Sequence, residues 1–298
     1  MADATLLAPA LDQIRTEIDS FLGELLALPR DPRARLYEAM RYAAMGGGKR
    51  LRPLLVVASA ALFHTARERA VRVGAAVECI HVYSLIHDDL PAMDDDDLRR
   101  GKPTLHKVHG EAAAILAGDS LHALAFEILA DEATHEDPFV RSELVAELAR
   151  AAGPAGMAGG QMMDLAASEE TLDLAAVTRL QQLKTGALIG FCLEAGAIMG
   201  RVPPEKRIKL RGYARDVGLA FQIADDLLDE EGLEEKTGKK VGKDRAKGKE
   251  TFVTLLGRER ARRQAELLVS QGVDYLKSYG AEADLLRAIA RFAVERDH

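Results

Sequence analysis

Residues 79–101 read CIHVYSLIHDDLPAMDDDDLRRG, an apolar segment that leads directly into a dense group of aspartates. His81, Leu85 and Asp88 share one face of a helix, because residues about one and two turns apart lie above one another. A straight helix would rotate Asp94 away from the face that carries Asp88. Pro91 lacks an amide donor, so we expect the helix to end or bend there and to bring Asp94 back beside Asp88.

A second acidic segment, FQIADDLLD at residues 221–229, lies on another predicted helix. Asp225 and Asp229 share one face of that helix, and Gln222 lies on the same face. Carboxylates gathered so closely raise one another's pKa, and a divalent cation relieves their repulsion. Oxygen ligands favour magnesium, calcium or manganese over zinc, and magnesium keeps positions for water and substrate phosphates. The two clusters therefore indicate a magnesium site.

Two alternative roles for these residues stay open on the sequence alone. Either cluster could be a solvated acidic surface, because acidic runs are common on helices. The presence of two such clusters on apolar helices of one chain weakens that alternative. Cys79, His81 and His87 could be zinc ligands, but their spacing matches no familiar zinc pattern.

Basic residues follow a glycine run in GGGKRLRP at residues 46–53. Glycine lets the backbone approach a ligand closely, and the start of a helix favours anions. Lys49 would add charge and Arg52 a bidentate donor. Further basic segments are Arg99-Arg100-Gly101 and Lys184-Thr185-Gly186. Each alone is more often solvated than functional, but magnesium clusters combined with separate cationic pockets suit a reaction between two diphosphates.

The remainder of the chain is rich in residues that favour helices. Ala, Leu, Glu and Arg recur throughout, whereas aromatics are 5% and Trp is absent among the 298 residues. Alternation of apolar and polar residues at period two is scarce, so strands are poorly supported. Without a long linker or an internal repeat, the sequence predicts one all-α domain over residues 1–298 rather than two small domains.

Prolines and glycines divide this domain into predicted helices. We expect helices over residues 7–28, 34–44, 53–63, 66–90, 118–133, 138–152 and 172–199, around residue 161, after Pro204, and from Thr251 onward. A turn is predicted at residues 153–156. Lysines interleaved with glycines predict a mobile basic loop at residues 231–250.

Composition also excludes several classes of protein. The net charge of -7 argues against a general nucleic-acid binder. Two cysteines are too few for a disulfide framework and favour a reducing cytosol. Residues 186–200, the most apolar long stretch, contain Glu194 and are too short for a transmembrane helix, and the first residues do not resemble a signal peptide. We therefore expect a cytoplasmic protein without a membrane span.

Together these motifs resemble the trans-prenyltransferase family, and most of all the bacterial farnesyl diphosphate synthases, or geranyltranstransferases. The resemblance runs from about Glu38 to the C-terminus, and residues 79–101 are similar to the first aspartate-rich motif of the family almost throughout. It implies the isoprenoid synthase fold, a helical bundle around a deep central cavity, usually as a homodimer. It also implies three magnesium ions per active site when substrate is bound.

The resemblance assigns a role to each motif residue. Asp88, Asp94 and Asp225 would bind magnesium, supported as ligands or through hydrogen bonds by Asp89, Asp226 and Asp229. The allylic diphosphate would be held by Arg99, Lys184, Lys239 and Lys249, with its carbon chain lined by Thr185 and Gln222. Isopentenyl diphosphate would be held by Lys49, Arg52, His81 and Arg100. The main catalytic set would be Asp88, Asp94, Asp225, Lys184 and Arg99.

Product length should depend on the depth of the cavity below the first motif. Tyr83 lies about 7.5 Å before Asp88 along a helix. In the family an aromatic near this point, here Tyr83 beside Ser84, or the two-residue insertion Pro91-Ala92, is associated with short products. The resemblance therefore implies (2E,6E)-farnesyl diphosphate, made by ionisation, condensation and proton loss. The alternatives are a geranylgeranyl diphosphate synthase, a terpene cyclase and a non-catalytic synthase subunit.

Overall fold

The computed structural model describes residues 2–167, 172–231 and 250–295. The first half of the chain forms α1 (Ala2–Leu25), α2 (Ala34–Ala44), α3 (Leu51–Ala61), α4 (Arg67–Asp88), α5 (Leu105–His109), α6 (Glu111–Ala130) and α7 (Pro138–Ala152). Between α4 and α5, a short antiparallel pair is formed by β1 (Leu98–Arg99) and β2 (Lys102–Pro103).

The second half is also helical. It consists of α8 (Met157–Ala166), α9 (Leu174–Gln181), a π-helix (Gln182–Gly186), α10 (Ala187–Met199), a 3₁₀ turn (Pro204–Lys206), α11 (Ile208–Glu231), α12 (Phe252–Leu256), α13 (Arg258–Tyr275), a second 3₁₀ turn (Ala281–Ala283) and α14 (Asp284–Phe292). The all-α prediction is confirmed, and α2 and α7 have the predicted bounds.

Other boundaries differ from the predicted ones. The helix expected at residues 118–133 begins at Glu111, directly after Gly110, whose φ of 84° ends α5. The helix expected at residues 172–199 is interrupted by the π-helix. The helical pattern predicted from Thr251 onward is confirmed and consists of three helices, because Gly257 adopts a φ of 76° between α12 and α13 and further turns precede α14. Most of the predicted basic loop, residues 232–249, lies outside the described residues.

The core is one continuous apolar cluster in which α4 packs against α6 and α3 packs against α4 and α10. Gly196 of α10 allows this packing, since a Cβ there would lie 2.4 Å from the backbone nitrogen of Ala60. Ser59 next to it donates a hydrogen bond to the carbonyl of Leu193. The close contact holds α3 against α10.

Helix α11 packs against α10, α12 and α13. Tyr213 is fully buried and donates a hydrogen bond of 2.7 Å to the carbonyl of Leu286. This packing orients the second acidic segment, which lies near the end of α11. Among the described residues, α6 is the one helix long and apolar enough to cross a membrane, and its buried face packs against α4.

Candidate active site

The first aspartate motif lies where α4 ends and the chain turns back. The amide of Asp94 donates a hydrogen bond of 2.8 Å to the carbonyl of Asp88, and the amide of Asp95 donates one of 3.2 Å to Leu90. Asp95 adopts a left-handed φ of 51°, which closes the turn. The predicted bend near Pro91 is confirmed, and it brings Asp94 back beside Asp88.

Asp88 lies in an environment that disfavours its negative charge. Burial raises the pKa of this carboxyl group to about 6, the Lys184 ammonium opposes the rise, and the Asp94 carboxylate adds to it. A carboxylate in such a position is stabilised by an added cation. The influence of Lys184 also shows that the π-helix lies close to the first motif.

Asp89 has a different role from its neighbour. Its carboxylate is buried and accepts hydrogen bonds of 2.8 and 2.5 Å from the Nε and Nη2 atoms of Arg99. Arg99 lies on β1, and the turn after it contains Arg100 and Gly101 in left-handed conformations. The pair therefore joins the small β-hairpin to the end of α4, and Asp89 orients the Arg99 side chain.

The π-helix presents the next group of predicted residues. Lys184 forms a 2.8 Å ion pair with Asp164 of α8. The two segments approach closely at Gly160, because a Cβ there would lie 2.2 Å from the amide nitrogen of Lys184. The Thr185 hydroxyl lies 3.5 Å from the side-chain oxygen of Gln222 on α11. The π-helix thus joins α8 to α11.

The second aspartate motif divides in the same manner as the first. Asp225 is exposed, whereas Asp226 is buried. The Asp226 carboxylate accepts hydrogen bonds of 3.0 Å from the Gln222 side chain and 3.1 Å from the amide of Phe252. Asp226 therefore joins α11 to the start of α12, while Asp225 and the half-buried Asp229 share a different face of the helix.

A separate cationic group surrounds the glycine run. Arg100 donates a hydrogen bond to the carbonyl of Gly47, and a Cβ on Gly48 would collide with the guanidinium group. An Nη1 atom of Arg52 lies 3.3 Å from Nε2 of His81 on α4. The Arg52 Nε atom is buried and has no hydrogen-bond partner in the part of the chain that the structure describes, so it is a donor available to an anion.

The surroundings of His81 determine its protonation. Burial, followed by the positive charges of Arg52 and Arg100, lowers the pKa of the His81 imidazole well below its usual value. His81 is therefore neutral at physiological pH and contributes a hydrogen bond rather than a charge. The exposed Lys49 has its ammonium 5.7 Å from the ring centroid of Phe292 on α14.

Aromatic rings line α4 one turn before the first motif. The Tyr83 ring lies edge-on to His122 of α6, with centroids 4.9 Å apart, and edge-on to His87 at 5.7 Å. His122 in turn contacts Phe126 at 5.2 Å. Ser84 donates a hydrogen bond of 2.8 Å to the carbonyl of His81. The α4–α6 interface therefore carries a connected series of rings below Asp88.

The donor set fits an ion held partly by substrate. Among the described residues, no three His, Cys, Asp or Glu side chains converge on one point. Magnesium is commonly bound by one or two carboxylates and by substrate phosphates, and Asp88, Asp94 and Asp225 offer such incomplete sets. Zinc through Cys79 does not fit, because burial raises the pKa of that thiol to about 12 and zinc requires the thiolate.

Comparison with known proteins agrees with this geometry. The sequence matches the polyprenyl synthetase family over residues 33–282. The chain belongs to the polyprenyl synthetase family. Farnesyl diphosphate synthase of Bacillus subtilis is 44% identical over 88% of this chain and 89% of its own length. Geranylgeranyl diphosphate synthase of Cyanophora paradoxa is 40% identical over 91% of each chain.

A solved structure supports the same fold. The apo crystal structure of an FPP/GFPP synthase from Zymomonas mobilis has 59% sequence identity, a TM-score of 0.91, and an overlap covering 98% of this chain and 100% of that one. The predicted isoprenoid synthase fold is thereby confirmed for this member of the polyprenyl synthetase family.

Several residues at this polyprenyl synthetase site carry no signal in the sequence. Asp164 pairs with Lys184, Phe292 faces Lys49, and His122 contacts Tyr83. Each lies far in sequence from its partner, so local spacing gives no indication of the contact. Two predicted ligands of the allylic diphosphate, Lys239 and Lys249, lie outside the described residues.

Proposed function

We propose that this protein is a magnesium-dependent farnesyl diphosphate synthase. It would join isopentenyl diphosphate to dimethylallyl diphosphate and then to geranyl diphosphate. The observation that carries the proposal is the presence of two separate groups of cationic side chains. One contains Asp88, Lys184 and Arg99 beside the acidic motifs, and the other contains Arg52 and Arg100 beside the glycine run.

The first group suits an allylic diphosphate. Asp88 and Asp94 from one side, and Asp225 from the other, would hold magnesium, which supplies positive charge to the departing diphosphate. Lys184 and Arg99 would donate hydrogen bonds to the same phosphates, and their partners Asp164 and Asp89 keep both cations in place. Thr185 and Gln222 would line the start of the carbon chain, with Asp226 and Asp229 in support.

The second group suits isopentenyl diphosphate. Lys49, Arg52 and Arg100 would neutralise its phosphates, and the neutral His81 would add one hydrogen bond. The diphosphate of isopentenyl diphosphate does not leave in this reaction. Its pocket therefore needs cationic side chains rather than a metal ion. The carbon–carbon double bond then attacks the allylic carbon, and the diphosphate already released is a suitable acceptor for the proton lost afterward.

The product length rests on the rings below Asp88. Tyr83, backed by His122 and Phe126, would close the cavity and stop elongation at fifteen carbons. Relatives named for longer products share the fold, which makes geranylgeranyl diphosphate synthase the second candidate. A terpene cyclase needs only one diphosphate pocket, and a non-catalytic subunit usually lacks the aspartates, so both fit these residues less well.

The remaining features of the proposal concern the whole protein. We infer that residues 1–298 act as one domain, that three magnesium ions are present with substrate bound, and that the protein is a cytoplasmic homodimer. The exposed Ile115 and Leu116 of α6 are two adjacent apolar side chains that a dimer interface would cover. Light scattering after size exclusion would measure the assembly state, and a mass of one chain would contradict the dimer.

The reaction is tested with purified protein, labelled isopentenyl diphosphate, magnesium and either dimethylallyl or geranyl diphosphate. The products are dephosphorylated and identified as alcohols. Farnesol as the main product is expected. Geranylgeraniol would preserve the reaction and overturn the proposed Tyr83 floor, and label left entirely in isopentenyl diphosphate would overturn the proposed function.

A further inference from the structure

Arg50 lies in sequence between Lys49 and Arg52, two of the residues proposed to hold isopentenyl diphosphate. It follows Lys49, precedes Arg52 by two positions, and adopts a left-handed φ of 49° at the start of α3. A non-glycine residue rarely adopts this conformation, and such residues persist where the surrounding contacts over-determine them. The contacts of Arg50 therefore show what stabilises this conformation.

Three contacts hold the Arg50 guanidinium group. It forms ion pairs of 2.7 Å with Glu78 of α4 and 2.6 Å with Asp19 of α1, and donates a hydrogen bond of 2.6 Å to the carbonyl of Ala44. The side chains of Arg50 and Glu78 are almost fully buried. The Arg50 guanidinium group is already paired with two carboxylates and a carbonyl, so these contacts hold the backbone that carries Arg50.

The geometry joins this buried pair to the pocket. Glu78 and His81 lie about one turn apart on α4, and Arg50 and Arg52 lie two positions apart at the start of α3. The Arg50–Glu78 pair and the Arg52–His81 contact are therefore neighbouring links between the same two helices. Fixing the first link sets the register of the second.

We infer that Arg50, through Glu78 and Asp19, is a positioning residue that holds the glycine run and Arg52 in the geometry that binds isopentenyl diphosphate. The inference rests on the assignment of that pocket under the proposed function. The Asp88 side of the site has its own supports, Asp89 and Asp164. Loss of the Arg50 network should therefore weaken binding of isopentenyl diphosphate and leave binding of the allylic diphosphate unchanged.

The main test is Glu78→Gln, which removes the buried charge and keeps the shape. We expect the KM for isopentenyl diphosphate to rise about tenfold, while kcat and the KM for geranyl diphosphate stay within about twofold of wild type. Calorimetric titration of isopentenyl diphosphate alone should show the same weakening. Equal rises in both KM values, or no rise in either, would overturn the inference.

The matched control is Glu17→Gln. Glu17 pairs with Arg67 at 2.8 Å and also joins α1 to α4, but near the opposite end of α4 from the first aspartate motif. We expect this variant to lower the Tm without changing the ratio of the two KM values. A selective rise in the KM for isopentenyl diphosphate in Glu17→Gln as well would contradict a role specific to Arg50.

A second variant covers failure of Glu78→Gln to fold. Asp19 is one-third exposed, so Asp19→Asn removes a weaker part of the network and should raise the KM for isopentenyl diphosphate about threefold. An unchanged value in a folded Asp19→Asn would then overturn the inference. Wild-type protein that fails to condense the substrates would instead overturn the proposed function, so the two failures are distinguishable.

Discussion

Asp88→Asn should stabilise the metal-free protein while abolishing its response to magnesium. Burial raises the pKa of Asp88 from 3.8 to about 6. At about 1.36 kcal/mol per pH unit, this interval corresponds to about 3 kcal/mol of unfavourable charge in the folded state above pH 6. The unfolded chain loses this proton near pH 3.8 and the folded chain near pH 6, so the stability of the wild type falls as pH rises through that window.

The asparagine variant lacks this ionisation, so it should be more stable than the wild type only above about pH 6. We expect its Tm at pH 7.5, without magnesium, to exceed the wild-type value by about 5 °C, and the difference to disappear near pH 4. Scanning fluorimetry at both pH values measures this. Adding magnesium and inorganic pyrophosphate should raise the Tm of the wild type but not of the variant. A variant less stable than wild type at pH 7.5 would refute the argument that Asp88 is held in an unfavourable charged state.

Three further predictions follow from particular contacts. Tyr83→Ala should lengthen the product by about one isoprene unit, and adding His122→Ala should lengthen it further; an unchanged set of alcohols in both would rule out the aromatic floor. Gly196→Ala should destabilise the fold by about 3 kcal/mol in urea unfolding. The control is Gly190→Ala, where the described residues place no atom within 4 Å of the added Cβ apart from the adjacent residues and the helix's own backbone. It should stabilise the fold by about 0.5 kcal/mol, and equal stability of the two variants would be inconsistent with close α3–α10 packing. Phe292→Leu should raise the KM for isopentenyl diphosphate about threefold, and an unchanged KM would show that the ring does not help to hold the lysine beside it.

Features set by local sequence could be predicted. The helical pattern and the prolines located most helices, and Pro91 correctly indicated the bend that returns Asp94 to Asp88. The acidic and basic residues proposed for the site could be selected because their chemistry is concentrated in short segments. The same short segments carry the resemblance to the family.

Features set by tertiary contacts could not be predicted in this way. The π-helix at Gln182–Gly186 lies in a segment whose periodicity reads as ordinary α-helix, and its position depends on packing against α8. From the sequence alone, the second aspartate of each motif could act either as a ligand or through hydrogen bonds. The structure separates them, because Asp89 and Asp226 are buried and satisfied by Arg99 and by the amide of Phe252.

The central claim is that the two diphosphates bind in separate pockets. One pocket holds its diphosphate through magnesium, and the other holds it through cationic side chains without a metal ion. A crystal structure with manganese in place of magnesium, isopentenyl diphosphate and an unreactive thio-analogue of geranyl diphosphate tests it most directly. We predict anomalous peaks between the analogue and Asp88, Asp94 and Asp225, and metal-free isopentenyl diphosphate against Arg52 and Arg100. Manganese bound away from these aspartates, or both diphosphates in the same pocket, would contradict the claim.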